Sequence, residues 1–380
     1  MSLTSRQRIQ AAIDHQEPDR VPTAIGGGSY GIVDEVYFKL LDLYNLGEPV
    51  QPFRQGHSIS YMDDRLLGCL GTDIRYVYPG ALPNSPYQAT DNPDIFLDSF
   101  GQVWKRAVPY YYAGTGILSS ATGIDQINDI VHWPNVYDPR WTAGVNERSR
   151  RLRETTECWI TARMVASHGP YQTACDLRGT EEFMLDMAAN EEFAEALLER
   201  ISETLVGLTR GYLEACGPYI DMIELPGDDY AGNSNLIMSP AMFRRFIRPC
   251  LVKMVETIKA YRSDLKIMLH SDGTIQRLIP DLIDMGIDVI HPLEPLPAMD
   301  LAEIKAQFGS QVTFLGGIDI SHAMPGTKQQ VIDEVQLRIG QLAHGGGYIL
   351  APSNHLQADV PAENVVGLFE AARQYGNYPL

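Results

Sequence analysis

The chain has 380 residues, 30 basic against 48 acidic side chains and a net charge of −18. With 44% apolar residues it can bury a large core, so disorder is excluded as its main state. The acidic balance repels phosphodiesters and argues against nucleic acid as a partner. No apolar run approaches the roughly 18 residues of a membrane helix, and the polar start MSLTSRQRIQAAIDHQEPDR is no secretory signal. Cys69, Cys158, Cys175, Cys216 and Cys250 are scattered, odd in number and free of CxxC pairs. A reduced, cytoplasmic protein is therefore expected, without a membrane partner.

In chain order, short apolar runs predict strands at Val21–Ile25, Trp159–Val165, Ile220–Leu225, Ile267–His270, Asp288–His291, Val312–Leu315 and Tyr348–Ala351. Helical patterns lie between them. Glu181–Cys216 reads as two helices with a break near Asn190. Pro240–Tyr261 follows the cap residue Ser239, and Ile275–Met285 ends before Gly286. Asp300–Phe308, Lys328–Ala343 and Glu363–Tyr375 complete the set. Strand–helix alternation implies parallel strands with right-handed crossovers. No GxGxxG follows the first strand, which weakens a dinucleotide-binding fold. The expectation is a single α/β domain over 1–380: a (β/α)8 barrel with extra N-terminal helices and loops, residues 27–150 forming helices and an excursion beside it.

Barrel chemistry sits past the carboxyl ends of the strands. There the sequence offers Gly26–Gly28 with Tyr30, then His168, Glu224 with Asp228 and Asp229, His270 with Asp272, His291 with Glu294, Asp319, and Ser353-Asn354-His355. Each has a plainer reading. Asp228 or Asp229 would cap or order the loop before a helix, and His291 beside Pro292 would be a packing histidine. His168 divides evenly between structure and function, and the glycine triplets would be turns. His270 and Asp272 form the best pair: a metal-binding His-x-Asp, or a general acid–base couple. No GxSxG elbow points to an α/β-hydrolase.

Several segments are similar to the uroporphyrinogen decarboxylase superfamily, which includes cobalamin-dependent methyltransferases. They are RQRIQAAIDHQEPDRVP, LRGTEEFMLDMAANEEF, GDDYAGNSNLIMSPAMFRRFIRP, KIMLHSDGTIQRLIPDLIDMGIDVIHPLEP, FLGGID and GGGYILAPSNHLQADVPAENV. The resemblance runs over nearly the whole chain and implies a (β/α)8 barrel. The decarboxylase's arginine-rich N-terminal loop is matched here by Thr23–Tyr30, which has no arginine. That argues against clamping a polycarboxylate tetrapyrrole. The methyltransferase branch holds zinc with His-x-Cys and a second Cys; here those places fall on His270, Asp272 and Ser353.

The resemblance therefore implies a methyltransferase-like enzyme passing a methyl group from a small methylated substrate to a corrinoid protein or another acceptor. Its metal would be divalent, zinc first, on His270 and Asp272, or the site would be metal-free. His270, Asp272, His355 and Asp228 would be catalytic; Glu224, Asp229, His168, His291, Asp319 and Tyr30 would bind substrate. Tyr110, Tyr111 and Tyr112 would line a lid, and a homodimer is the expected assembly. The alternatives are a metal-free decarboxylase or lyase and a non-catalytic binding barrel.

Overall fold

A computed structural model describes residues 2–50, 58–79, 88–89, 92, 94–107 and 110–380. Its strands in chain order are β1 (Ile74–Val77), β2 (Gln88–Ala89), β3 (Ile95–Leu97), β4 (Val103–Ala107), β5 (Tyr110–Ala113), β6 (Trp159–Ala162), β7 (Met222–Glu224), β8 (Lys266–His270), β9 (Val289–His291), β10 (Thr313–Ile318) and β11 (Tyr348–Pro352). Seven of them form one parallel sheet in the order β1-β6-β7-β8-β9-β10-β11. β6 to β11 are buried almost end to end, as strands covered on both faces must be.

The expected first strand is a correction. Residues 21–25 are extended but pair through one isolated bridge, Thr23 to Leu350, rather than a ladder. The segment still sits between the sheet's two ends. Ala24 N donates to Leu350 O, Leu350 N to Pro22 O, and Asp73 N to Thr23 O. Among the described residues the parallel sheet therefore counts seven strands, and the eight-fold expectation is met in part. β1 was not expected. The excursion expected beside the barrel carries a four-stranded antiparallel sheet, β2-β3-β4-β5. The lid expectation for Tyr110, Tyr111 and Tyr112 concerns side chains outside the described residues.

The helices follow the predicted spans with local departures. Thr180–Ala189 and Glu191–Cys216 meet at Asn190. The Pro240–Tyr261 helix is interrupted by a π-turn at Phe243–Ile247. Pro249 has no N–H to give, and its ring would crowd the carbonyl of Arg245, so the backbone widens there. Pro280 likewise splits the next helix into a 3₁₀ turn, Ile275–Leu278, and Ile279–Asp284. No helix among the described residues is long and apolar enough to cross a membrane.

Candidate functional site at the strand ends

His270 closes β8 and His291 closes β9, paired side by side in the sheet. Their Nδ1 atoms lie 2.9 Å apart, and His291 Nε2 lies 3.2 Å from Pro352 O. A carbonyl only accepts, so His291 Nε2 carries the hydrogen. Burial holds His291 neutral, its pKa well below the usual histidine value. Its Nδ1 is therefore a bare acceptor, and His270 Nδ1 must donate to it. Burial also lowers the pKa of His270, against the pull of Asp229, Glu224 and Glu294. In the neutral ring, Nε2 is left as a lone pair. This tautomer is assigned from the hydrogen-bond network.

That lone pair faces oxygens. His270 Nε2 is 3.8 Å from Asp229 Oδ1 and 3.8 Å from Asp272 Oδ1. Asp229 Oδ1 also receives the Asp272 backbone N–H at 2.9 Å, which ties the two loops together. Asn354 Nδ2 donates to Asp272 Oδ2 at 2.5 Å. Asp272 Oδ1, by contrast, is buried with no hydrogen-bond partner. Burial, then the charges of Asp229 and Glu294, drive the Asp272 carboxyl well above its ordinary range. One atom each from Asp229, His270 and Asp272 lies within 4.8 Å of the others. An orphaned buried carboxylate oxygen facing a nitrogen lone pair calls for a cation, either a proton or a metal ion. The donor set fits a divalent ion with one nitrogen and two oxygen ligands. Ser353, at the place of the second expected cysteine, is turned away: its hydroxyl donates to Ile318 O at 2.8 Å.

Glu224 closes β7 beside this group. Its carboxylate accepts Gly28 N–H at 2.8 Å and Tyr30 O–H at 2.9 Å. Burial raises its pKa, although Arg163 and the two hydrogen bonds oppose that. The Tyr30 ring packs on His291 with centroids 4.7 Å apart. Gly27 lets this happen, since a Cβ there would fall 2.1 Å from Tyr30 Cζ. Tyr30, Glu224, His270, His291, Asp272 and Asp229 thus share one neighbourhood.

Four predicted residues have other partners. Asp228 accepts the N–H groups of Tyr171 and Gln172 at 2.9 and 2.8 Å and the Tyr230 hydroxyl at 3.2 Å. Its carboxylate serves the N-terminus of the helix Pro170–Arg178. Burial nevertheless pushes its pKa up to about 7. His168 Nδ1 lies 2.6 Å from Asp176 Oδ2. Burial would lower its pKa, but that bond and the surrounding carboxylates raise it. His355 Nδ1 accepts Gly31 N–H at 2.9 Å. Asp319 orders the turn after β10, accepting from Ser321 N and pairing with His322. Sequence analysis does not reach Arg163 or Tyr76, and it names Asn354 without giving it a role. Arg163 directly follows β6, but extending that strand to Val165 hid it inside a supposed strand.

A parallel α/β sheet with acids and imidazoles gathered at its carboxyl edge defines a barrel-like protein with one site at the strand ends. The chain belongs to the uroporphyrinogen decarboxylase (URO-D) family, whose model matches residues 146–375. A uroporphyrinogen decarboxylase of Hordeum vulgare is 23% identical over 305 residues, covering 75% of this chain and 90% of that protein. The methylcobamide:CoM methyltransferase MtaA of Methanosarcina barkeri is 26% identical over 208 residues, covering 54% of this chain and 56% of that one. The solved structure of a methyltransferase from Methanosarcina mazei superposes with a TM-score of 0.67 at 19% identity, covering 98% of this chain and 99% of that chain. This last likeness concerns the fold. The family includes both decarboxylases and methyltransferases.

Proposed function

We propose that this protein is a methyltransferase-like enzyme that moves a methyl group from a small methylated substrate to a corrinoid on a separate protein. Asp229, His270 and Asp272 would hold a divalent metal ion. The observation that carries this reading is the buried, unpartnered Asp272 Oδ1 facing the His270 lone pair. When bound, the ion supplies stabilisation of negative charge on the atom that carries or receives the methyl group. The chain's own residues do the positioning. Pro352 O fixes the tautomer of His291, which fixes that of His270. Asn354 orients Asp272, leaving Oδ1 free. Zinc is the ion the resemblance implies, while two oxygen donors also suit harder divalent ions.

The test begins with metal. Purified protein titrated with Co(II) should develop a d–d absorption band, which H270A loses. Asp272→Asn should weaken uptake by at least about tenfold. Methyl transfer to cob(I)alamin is then measured with methyl thiols, methylamines and methoxyarenes, before and after chelation. Equal Co(II) uptake by wild type and H270A would refute the metal reading. A second reading, metal-free decarboxylation of a small acid, is favoured by Asp272 and Glu224, whose buried carboxyls are both pushed toward the protonated form. It requires activity that survives chelation.

A further inference from the structure

His168 stands on the loop past β6, the strand beside β7 in the sheet. Its Nδ1 lies 2.6 Å from Asp176 Oδ2. Asp176 Oδ1 receives Gln172 Nε2 at 2.9 Å, so the carboxylate is itself held in place. Gln172 and Asp176 both belong to the helix Pro170–Arg178. The loop is fixed as well: Gly169 N donates to Gly227 O at 2.8 Å, and a Cβ on Gly169 would fall 2.6 Å from Asp228 Cγ. Trp104 of β4 packs against the imidazole, with ring centroids 5.7 Å apart.

One ring atom is left over. His168 Nε2 has no hydrogen bond among the described residues, and the side chain is 34% exposed. A packing histidine spends both nitrogens in the core, as His291 does on His270 and Pro352 O. The pair of His322 with Asp319 is different again, because it closes one exposed turn. An imidazole oriented by a carboxylate, with its far nitrogen open, has the arrangement of an acid–base group. The charges it feels are those of Asp176 on the following helix and of Asp228 and Asp229 on the loop past β7. Asp98, after β3, is in turn a charge neighbour of Asp176. Burial would lower the His168 pKa, yet the bond and these charges raise it, so the ring holds its proton above the ordinary histidine range. Asp229 is also the residue that reaches His270, which sets this proton beside the proposed metal ligands.

We infer that His168, positioned by Asp176, is the proton donor for the group left behind when the methyl leaves the substrate. The inference rests on the methyl transfer proposed above and adds a residue to it. In a methyl ether or thioether, the carbon–heteroatom bond breaks with its electron pair on the heteroatom. The new bond to carbon uses an electron pair of the methyl acceptor, and the His168 Nε2 proton goes to the heteroatom. Neutral His168 then regains a proton from water.

Transfer to cob(I)alamin is measured with anisole and 4-cyanoanisole. Phenolate leaves poorly without a proton, whereas 4-cyanophenolate is the better leaving group. His168→Gln should slow anisole about a hundredfold and 4-cyanoanisole no more than about tenfold. With anisole, the wild-type rate should fall as the pH rises through the His168 pKa. H168Q should lack that limb, and Asp176→Asn should move it to lower pH. Co(II) uptake on the same preparations should be unchanged in both variants. Equal slowing of the two ethers, a pH profile that neither variant alters, or lost Co(II) uptake in H168Q would each overturn the inference. If H168Q does not fold, D176N takes its place and must slow anisole at least about threefold more than 4-cyanoanisole. Turnover of neither ether by the wild type removes the proposed methyl transfer and the proton donor with it. Turnover that the variants leave unchanged removes the proton donor alone.

Discussion

Asp73→Ala should destabilise the protein by about 4 kcal/mol, because one buried carboxylate clasps two other segments of chain, residues 5–8 and 20–23. Asp73 is fully buried. Its oxygens accept from Arg8 Nη1 at 2.6 Å, Ser5 Oγ at 2.8 Å, and Arg20 Nη1, Arg20 Nη2 and Thr23 N at 2.9 Å each. Its backbone joins Thr23 on one side and Trp159 on the other. Removing one partner of a buried ion pair costs about 3–5 kcal/mol. Arg8 keeps Asp19, and the less buried Arg20 turns to water, so the electrostatic loss belongs near 3 kcal/mol. The stranded Thr23 N–H adds about 1 kcal/mol. A chain of this length loses about 0.8 kcal/mol per degree near its midpoint, so the melting temperature should fall by about 5 °C. Calorimetry measures it, with Glu203→Ala as control. Glu203 belongs to the exposed pair with Arg200, and its loss should move the midpoint by under about 1 °C. A fall no larger than the control's refutes the clasp.

The acid limb of stability offers a second test. Burial would raise the pKa of Asp19, but its bonds with Arg8 outweigh this and hold it at about 2. A depressed carboxylate contributes its full stability above the ordinary value near 3.8 and loses it as the pH falls toward 2. Wild type should therefore lose stability more steeply than Asp19→Asn across that window, as measured by urea midpoints; parallel curves would contradict it. The thiols offer a third. Burial pushes Cys175 and Cys250 up to about 12 and Cys216 higher still, while Cys69 is exposed. A disulfide reagent should modify Cys69 in the native protein and reach those three only on unfolding. Peptide mapping that finds Cys175 labelled as fast as Cys69 would count against that burial.

The parts of the fold that were legible are those in which apolar content and glycine punctuation agree. β7 to β11 are short buried runs bounded by loops that sequence alone exposes. β1 was hidden because Arg75 stands inside it. That side chain is buried by turning its guanidinium back onto Thr72 O and Ile74 O, a self-contained solution that no pattern of hydrophobicity signals. Residues 21–25 read as a strand and behave as an extended seam, since their hydrogen bonds go partly to the Asp73 carboxylate rather than to a ladder. At the site, His270 and Asp272 were visible as a strand-end pair. The meeting of Asp229 with them was not, because it depends on the loop after β7 folding onto the backbone of Asp272. Asp228 and Asp229 look alike in sequence, yet one serves a helix and its neighbour faces the histidine.

Strand order gives the site a direction. Because β1, β6, β7, β8 and β9 are neighbours in that sequence, Tyr76, Arg163, Glu224, His270 and His291 lie along one arc of the sheet edge. At one end of the arc are Arg163, which donates to Gly28 O, and Tyr76, whose ring meets that of Tyr30 edge-on. At the other are acceptors without donors, His270 Nε2 and Asp272 Oδ1. Between them Glu224, Tyr30 and His291 are engaged with one another or with backbone and separate the two ends. The open acceptors are therefore confined to the β8 end of the arc, where a cation, a proton or the proposed metal ion, would answer them.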